Sequence, residues 1–224
     1  MTCEVLLVDD HKIMRDGLKA ILGRTAEFKV VGEAENGRDA LDFVRRHRPH
    51  LVLLDIGLPD LSGVEITAEI LRAYPAAKVV ILSMFDDEHS VVTAIRSGAR
   101  GFVLKRASDA DLLEALRIVA GGGMYLSPHV SDRLMEKIQT GNLDSAPLPP
   151  AIVALSPREV QVLRLVADGK TSKEIGSLLS LTEQTVRSYR KTMMKKLGVN
   201  NVAGLTQLAL SNGLTQVARA HGHA

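Results

Sequence analysis

Cysteine is almost absent from this chain, since Cys3 is the only one among 224 residues. A single thiol excludes an internal disulfide and any zinc site built mainly from cysteines. Also missing is an apolar run of the roughly 18 residues that a membrane span requires. The start of the sequence lacks the basic segment and apolar core of a secretory signal. We therefore expect a cytoplasmic protein without a membrane partner.

Charge is distributed unevenly along the chain. The formal net charge is only +2, but residues 1–121 carry −3, residues 122–150 carry −1 and residues 151–224 carry +6. A hydrophobic content of 46% with 24% charged residues is typical of a folded protein. An acidic first part joined to a basic last part predicts two domains with different roles, of which the basic one is a candidate for nucleic-acid binding.

Residues 4–120 alternate short apolar runs with stretches in which apolar residues recur three and four positions apart. Such runs are typical of buried strands, and such stretches are typical of helices that pack on a sheet. Five strands and five helices in alternation predict an α/β, doubly wound (βα)5 domain with a parallel sheet. The expected strands are 4–8, 28–33, 51–54, 79–82 and 101–104, and the expected helices are about 12–22, 37–47, 64–73, 87–97 and 109–120.

Polar residues follow four of these apolar runs. Asp9 and Asp10 follow the first run, Asp55 follows the third, and Ser83 and Lys105 follow the fourth and fifth. Because ligand sites of doubly wound folds lie at the carboxyl ends of the strands, we expect these five side chains to converge on one edge of the sheet.

Three carboxylates in one place repel each other unless a cation joins them, and oxygen ligands suit a hard ion such as Mg²⁺. Asp55 could then act as a nucleophile towards a phosphoryl group. Lys105 and the metal would neutralise the phosphoryl oxygens, and Ser83 could donate a hydrogen bond to one of them. The alternative is that the aspartates only cap the following helices and that Lys105 is a solvated charge.

The predicted domains are 1–121, a linker over 122–150 and a second domain over 151–224. A run of three glycines at 121–123 ends the first domain. A short amphipathic helix is expected at 128–138 within the linker, and the proline-rich stretch 141–150 stiffens it.

The second domain is predicted to be all-α, with four helices. Ser156 and Thr171 each precede a glutamate by three residues, which is typical of a capping box at the start of a helix. A third helix is expected from Thr182 to about Leu197, and a fourth over about 201–211. Two short helices joined by a tight turn, the second rich in Arg and Lys, match a helix-turn-helix.

The basic third helix is predicted to enter the major groove of double-stranded DNA, where Arg and Lys contact bases and phosphates. Residues at helix starts are expected to contact phosphates. The alternative is a solvated basic helix. The expected DNA contacts are Lys173, Thr185, Arg187, Ser188, Arg190, Lys191 and Lys195.

Residues 4–120 resemble the receiver domain of bacterial two-component response regulators. The matching stretches are Val8-Asp9-Asp10-His11, Leu53-Leu54-Asp55-Ile56-Gly57-Leu58-Pro59, Ile81-Leu82-Ser83 and Gly98-Ala99-Arg100-Gly101-Phe102-Val103-Leu104-Lys105. Two details depart from the commonest pattern: Arg106 stands where proline is usual, and the bulky Phe85 lies two residues after Ser83. We expect Phe85 to limit water access and slow the loss of a phosphoryl group.

The resemblance implies specific roles for the strand-end residues. Asp55 would accept phosphate from a histidine kinase. Mg²⁺ would be held by Asp9, Asp10, Asp55 and the Gly57 carbonyl. Ser83 and Lys105 would bind the phosphoryl group, and Phe102 would repack when Ser83 moves.

Most of residues 155–200 resemble the LuxR-type tetrahelical output domain of the NarL/FixJ family. The matching stretches are Leu155-Ser156-Pro157-Arg158-Glu159, Val166-Ala167-Asp168-Gly169, Lys173-Glu174-Ile175, Thr185-Val186-Arg187 and Lys196-Leu197-Gly198-Val199. Tyr189 and Ser172 stand where the family often has histidine and asparagine.

This second resemblance implies a DNA-binding transcription regulator rather than an enzyme, with RNA polymerase as a further expected partner. Phosphorylation would favour a homodimer, with Val202, Leu205 and Leu208 of the fourth helix at the dimer contact. The alternative for that helix is burial within its own domain. Two other functions stay open: a receiver-gated module with protein or RNA output, and a phosphohydrolase. The second is disfavoured because Gly57, two residues after Asp55, supplies no acid.

Overall fold

The computed structural model describes residues 2–84, 88–128, 130, 131, 135, 155–179, 181–212 and 214. The chain divides into two compact units, Met1–Ser145 and Ala146–Ala224. In the described segments of both units, no helix has the length and apolar character needed to cross a membrane.

The first unit is built on a six-stranded parallel sheet with the strand order β2-β1-β3-β4-β5-β6. Its strands are β1 (Cys3–Val8), β2 (Phe28–Ala34), β3 (Leu51–Asp55), β4 (Lys78–Ser83), β5 (Gly101–Leu104) and β6 (Tyr125–Leu126). Its helices are α1 (Lys12–Leu22), α2 (Gly37–His47), α3 (Gly63–Ala73), α4 (Glu88–Arg96) and α5 (Asp109–Ala120).

Side chains of the central strands alternate between two apolar cores, one on each face of the sheet. In β1, Leu6 and Val8 belong to the core beneath α2, α3 and α4, whereas Val5 and Leu7 belong to the core beneath α1 and α5. Because both faces are covered, the strands are almost continuously apolar, as the sequence shows. The covered faces leave the carboxyl ends of the strands as the accessible edge of the sheet.

The predicted doubly wound fold is confirmed, and the predicted strands and helices form with small differences at their ends. One strand was not predicted. Tyr125 and Leu126 form β6, which pairs with β5 inside the segment assigned to the linker. A two-residue strand after three glycines has no apolar run that could indicate it. Residues 128, 130, 131 and 135 of the expected 128–138 helix are helical, and the rest of that helix and 141–150 lie outside the described residues.

The second unit contains four helices in its described part, as predicted: α6 (Pro157–Ala167), α7 (Ser172–Leu179), α8 (Glu183–Leu197) and α9 (Val202–Ser211). Ser156 and Glu159 form a complete capping box at the start of α6. Gly198 ends α8 in the left-handed conformation with φ of 67°, which glycine adopts without strain. The helices bury a common core that includes Val162, Leu163, Ile175, Val186, Met193 and Leu205.

Candidate functional site

Four of the sequence-predicted residues lie at the carboxyl edge of the first unit's sheet. Asp9 follows β1, Asp55 ends β3, Ser83 ends β4, and Lys105 follows β5. The parallel register keeps the strand ends level, with the neighbouring pairs Val8–Leu54, Asp55–Leu82 and Ser83–Leu104. The fold therefore brings together groups that are up to 96 residues apart in sequence.

A buried ammonium joins two of the carboxylates at this edge. Lys105 Nζ lies 2.7 Å from Asp9 Oδ2 and 2.9 Å from Asp55 Oδ2. The three side chains are 9%, 1% and 1% exposed, respectively. The other oxygen of Asp55, Oδ1, accepts a hydrogen bond of 3.1 Å from the Gly57 backbone N–H. Asp55 is thus held from both sides, by a cation and by the loop that follows it.

The electrostatic balance differs between the two carboxylates. Burial raises the pKa of Asp55, and Asp9 raises it further, although Lys105 opposes both effects. Burial also acts to raise the pKa of Asp9, but a hydrogen bond with His11 and the charge of Lys105 outweigh it and lower that pKa. Burial acts to lower the pKa of Lys105, and its two carboxylate partners outweigh that effect and raise it. A second cation would therefore favour the ionised form of Asp55.

The edge also contains a group of side chains that could hold a metal ion. Potential ligand atoms of Asp9, Asp10, His11 and Asp55 all lie within 4.8 Å of one another. His11 Nδ1 is 3.0 Å from Asp9 Oδ1 and 2.7 Å from Asp10 Oδ1. Three carboxylates form a donor set that fits a hard divalent cation. His11 was not among the predicted site residues, although it directly follows the aspartate pair in the sequence.

The remaining predicted residues of the first site, Ser83 and Phe102, belong to β4 and β5. Ser83 is fully buried, and its carbonyl accepts a hydrogen bond of 2.7 Å from the Lys105 backbone N–H. Phe102 is 1% exposed and lies beside Ile81 of β4. The position of Phe85 lies outside the described residues.

The second unit presents its basic side chains along α8. Arg187, Ser188, Lys191 and Lys195 are exposed, while Val186 on the opposite face is fully buried. The Arg187 guanidinium lies 2.6 Å from Glu183 Oε1. This exposed face has the cationic character expected of a surface that contacts nucleic acid.

Arg190 differs from the other basic residues of α8. Its guanidinium is partly buried and donates a hydrogen bond of 2.7 Å to the Lys170 carbonyl. Burial lowers its pKa. Arg190 therefore holds α8 against the connection between α6 and α7. The other two predicted contacts, Lys173 and Thr185, lie in the first turns of α7 and α8, with Lys173 exposed and Thr185 partly buried.

A second contact fixes the far end of α8. Lys196 Nζ lies 2.7 Å from Oε2 of Glu159, which is 5% exposed. The same oxygen accepts a hydrogen bond of 2.6 Å from the Ser156 backbone N–H. Burial acts to raise the pKa of Glu159, but Lys196 and Ser156 outweigh it and lower that pKa. The start of α6 and the end of α8 are thus joined through one carboxylate.

Helix α9 presents only part of its predicted dimer contact to solvent. Val202 is 41% exposed and Leu208 is partly buried, but Leu205 is completely buried in the core of its own unit. For Leu205, burial within its own domain was the alternative that the sequence left open. Of the three predicted contacts, only Val202 and the exposed part of Leu208 are therefore available to a partner.

Two family models match the chain. Residues 5–117 match the response regulator receiver domain, and residues 153–209 match the bacterial regulatory proteins of the luxR family. The transcriptional regulatory protein MctR of Rhizobium johnstonii is 38% identical over 211 residues, which cover 94% of each chain. The transcriptional regulatory protein DegU of Brevibacillus brevis is 32% identical over 225 residues, covering 96% of this chain and 95% of DegU.

A solved structure extends the similarity to three dimensions. RcsB from Salmonella enterica serovar Typhimurium, bound to promoter rprA in the presence of phosphomimetic BeF3−, is 28% identical, with a TM-score of 0.56. The match covers 93% of this chain and 98% of that one. The chain therefore belongs to the NarL/LuxR-type two-component response regulators, the DNA-binding transcription regulators that combine a receiver domain with a LuxR-type helix-turn-helix domain.

Proposed function

We propose that Asp55 accepts a phosphoryl group from a partner histidine kinase and that this modification controls the binding of the second unit to DNA. The observation that supports this most strongly is the buried contact of Lys105 with both Asp9 and Asp55 at the carboxyl edge of the sheet. A structural ion pair needs one carboxylate, whereas a phosphoryl acceptor needs a nucleophile, a cation beside it and further charge to hold a metal.

The transfer uses Asp55 as the nucleophile. A carboxylate oxygen of Asp55 forms the new bond to phosphorus, and the phosphorus–nitrogen bond of the donor's phosphohistidine breaks, so that the imidazole leaves. Gly57 N–H orients the carboxylate through Oδ1. Lys105, which lies beside Oδ2, neutralises negative charge on the incoming phosphoryl oxygens, and Ser83 supplies a hydroxyl at the adjacent strand end.

The residues at this edge also fit the metal that such a transfer requires. We assign Mg²⁺ to Asp9, Asp10, Asp55 and the Gly57 carbonyl, since carboxylate and carbonyl oxygens are its preferred protein ligands. When bound, Mg²⁺ supplies positive charge against the phosphoryl oxygens. The carboxylates themselves keep this edge negative, which would favour a divalent cation there.

In the second unit, we propose that Arg187, Ser188 and Lys191 contact base edges in the major groove. Lys173, Thr185 and Lys195 would contact phosphates, which set affinity and its dependence on salt. Arg190 would act indirectly, because its guanidinium is directed to the Lys170 carbonyl.

Phosphorylation would link the two units through a shift in population between two receiver conformations. Added charge at Asp55 would move Ser83, Lys105 and Phe102 and favour a homodimer that presents two α8 helices to paired half-sites. Val202 and Leu208 are the proposed dimer contacts on α9, and RNA polymerase is a proposed further partner. Because β6 belongs to the sheet of the first unit, the connection between the two domains is proposed to follow Leu126.

Direct phosphorylation of the full-length protein tests the first half of this proposal. With acetyl phosphate as donor and Mg²⁺ present, the wild-type protein should gain one phosphoryl group per chain by intact-mass measurement. Asp55→Asn should gain none, while Asp42→Asn, which changes an exposed carboxylate in α2, should behave as wild type. Equal phosphorylation of Asp55→Asn and wild type would refute the assignment of Asp55.

A further inference from the structure

We infer that Arg15 and Asp60 are positioning residues, which hold the two acidic loops of the site against one common segment of the chain. That segment is residues 35–38, the junction between β2 and α2. The inference rests on the proposed function, because it concerns how the phosphoryl acceptor and the metal ligands are held at the correct separation. Neither residue contacts the acceptor oxygen itself.

Arg15 connects the loop after β1 to the end of β2. Its side chain is 6% exposed, and all three guanidinium nitrogens have partners. NH1 donates a hydrogen bond of 2.7 Å to the Asp9 carbonyl. Nε and NH2 lie 3.0 Å and 2.5 Å from the carboxylates of Glu33 and Glu35. The backbone of Asp9 is therefore tied to the carboxyl end of β2.

Asp60 connects the loop after β3 to the start of α2. Its Oδ1 accepts a hydrogen bond of 2.8 Å from the Gly37 N–H, and its Oδ2 accepts one of 3.2 Å from the Arg38 N–H. These N–H groups belong to the first turn of α2 and have no partner within the helix. A carboxylate is favoured at this position by the helix dipole. The loop that carries Gly57 is therefore tied to the amino end of α2.

Both connections end on the same short junction. Glu35 is one of the two carboxylate partners of Arg15, the other being Glu33 at the end of β2, and Gly37 and Arg38 are the partners of Asp60. Asn36, between them, caps α2 by accepting a hydrogen bond of 2.9 Å from the Asp39 N–H. The junction is thus fixed to its own helix and can serve as a rigid reference for both loops.

The consequence for the site follows from what each loop contains. Asp9 and Asp10 lie on the loop that Arg15 holds. Gly57 lies on the loop that Asp60 holds, and this loop directly follows Asp55 at the end of β3. The distance between these loops sets the space for a cation and a phosphoryl group. Displacement of reacting groups by about 1 Å can reduce a rate by about 100-fold. Loss of either connection should therefore weaken Mg²⁺ binding and slow the phosphoryl transfer, even in a variant that stays folded.

The test compares variants of the full-length protein under two measurements. Arg15→Gln removes the contacts to both glutamates, and Asp60→Ala removes both contacts to the junction. Phosphorylation by acetyl phosphate should slow by about tenfold or more in each variant at saturating Mg²⁺. Without any phosphodonor, the Mg²⁺ concentration that gives half of the maximal rise in unfolding temperature should increase by about tenfold.

Three further variants separate positioning from stability. Arg117→Gln removes the two hydrogen bonds, of 2.8 and 2.9 Å, that Arg117 donates to Glu27. Arg117 lies in the last turn of α5, and this control should keep the wild-type rate and Mg²⁺ response. Asp60→Asn keeps one carbonyl acceptor and should recover part of the loss. Arg15→Lys keeps the charge and replaces Arg15→Gln in the comparison if the latter does not fold.

The double variant tests the shared junction. Both residues act through residues 35–38. The phosphorylation rate of the double variant Arg15→Gln with Asp60→Ala should therefore fall by a smaller factor than the product of the factors for the two single variants. Folded single variants with the wild-type Mg²⁺ response and rate would overturn the inference. If the wild-type protein is not phosphorylated, the proposed function fails, and the Mg²⁺ response still decides whether Arg15 and Asp60 position the acidic loops.

Discussion

Lys105 and Asp55 form a buried ion pair at the carboxyl edge of the sheet, with 2.9 Å between Nζ and Oδ2. The same ammonium lies 2.7 Å from Asp9 Oδ2, and Asp10 belongs to the same cluster. The ammonium of Lys105 is therefore the lysine charge that faces these three carboxylates, and the imidazole of His11 lies beside two of them. Such an excess of negative charge costs folding free energy and provides affinity for a divalent cation.

Asp55→Asn should stabilise the protein when Mg²⁺ is absent. The folded-state pKa of Asp55 is raised, mainly by burial, so at neutral pH the folded state pays for an ionised carboxylate that the unfolded state accommodates in water. This penalty disappears only below the unfolded pKa. Removing the charge should raise the unfolding temperature by a few degrees, since about 1 kcal/mol corresponds to roughly 2–4 °C in a chain of this size. Thermal unfolding followed by circular dichroism measures the change.

The same variant should respond less to the metal. Mg²⁺ should raise the unfolding temperature of the wild-type protein more than that of Asp55→Asn, because the variant lacks one carboxylate ligand. A variant that is less stable than wild type without Mg²⁺ would show that Lys105 fully compensates the buried charge.

Lys105→Met should have the opposite effect. It leaves Asp9 and Asp55 buried without their common cation, and breaking a buried pair in this way typically costs about 3–5 kcal/mol. Mg²⁺ should restore part of this loss, because it replaces the missing positive charge. Urea unfolding with and without Mg²⁺ measures both effects, and a loss that Mg²⁺ leaves unchanged would argue against a metal site beside Lys105.

The Glu159–Lys196 pair should make the second unit sensitive to acid. The folded-state pKa of Glu159 is lowered, so its stabilising contribution is fully present above the ordinary value of about 4.3 and is lost as pH falls through the lower folded pKa. Glu159→Gln should therefore be less stable than wild type at pH 7, and the difference should vanish in strong acid. Thermal unfolding across this range tests the prediction.

An exposed pair provides the control for that measurement. Glu183 and Arg187 are both well exposed, and such surface pairs contribute at most about 1 kcal/mol. At pH 7, Glu183→Gln should lower the free energy of unfolding by less than Glu159→Gln does. Equal losses of stability at pH 7 in both variants would contradict the role assigned to the buried carboxylate.

Substitutions of Arg190 and Lys195 should have different effects, because Arg190 supports α8 within its own unit and Lys195 is proposed to contact DNA. Arg190→Ala removes the hydrogen bond to the Lys170 carbonyl and should lower the free energy of unfolding by about 1 kcal/mol. Lys195→Ala should leave stability unchanged and reduce the salt slope of DNA affinity by about one. Denaturant unfolding and binding titrations at several salt concentrations distinguish the two. If Lys195→Ala keeps the wild-type slope, its ammonium does not contact a phosphate.

Much of the fold is predictable because its signals are local in sequence. The run 51–54 followed by Asp55 indicates both a buried strand and the point at which it ends, and Ser156 with Glu159 marks the start of α6 within a residue. The convergence of Asp55 and Lys105 follows from the parallel direction of the strands, since the carboxyl ends of parallel strands lie at one edge of the sheet. Local patterns of this kind did not indicate β6, whose pairing depends on its position beside β5 rather than on its two residues.

The contacts that support the site were not predictable in the same way. Arg15 and Glu35 are 20 residues apart, and Asp60 and Gly37 are 23 residues apart, so no spacing connects them. Arg190 illustrates a different limit. The charge of Arg190 suggests a DNA contact. Its guanidinium instead donates a hydrogen bond to the carbonyl of Lys170, which lies 20 residues earlier in the chain.

The central claim is that phosphorylation of Asp55 controls DNA binding, and genome-wide occupancy of wild type and Asp55→Asn tests it most directly. Under conditions that phosphorylate the wild-type protein, wild type should occupy a limited set of sites with paired half-sites, and Asp55→Asn should lose most of that occupancy at equal protein level. Weak residual binding is expected, because phosphorylation shifts a population rather than creating a new state. Unchanged occupancy in Asp55→Asn would contradict phosphorylation control.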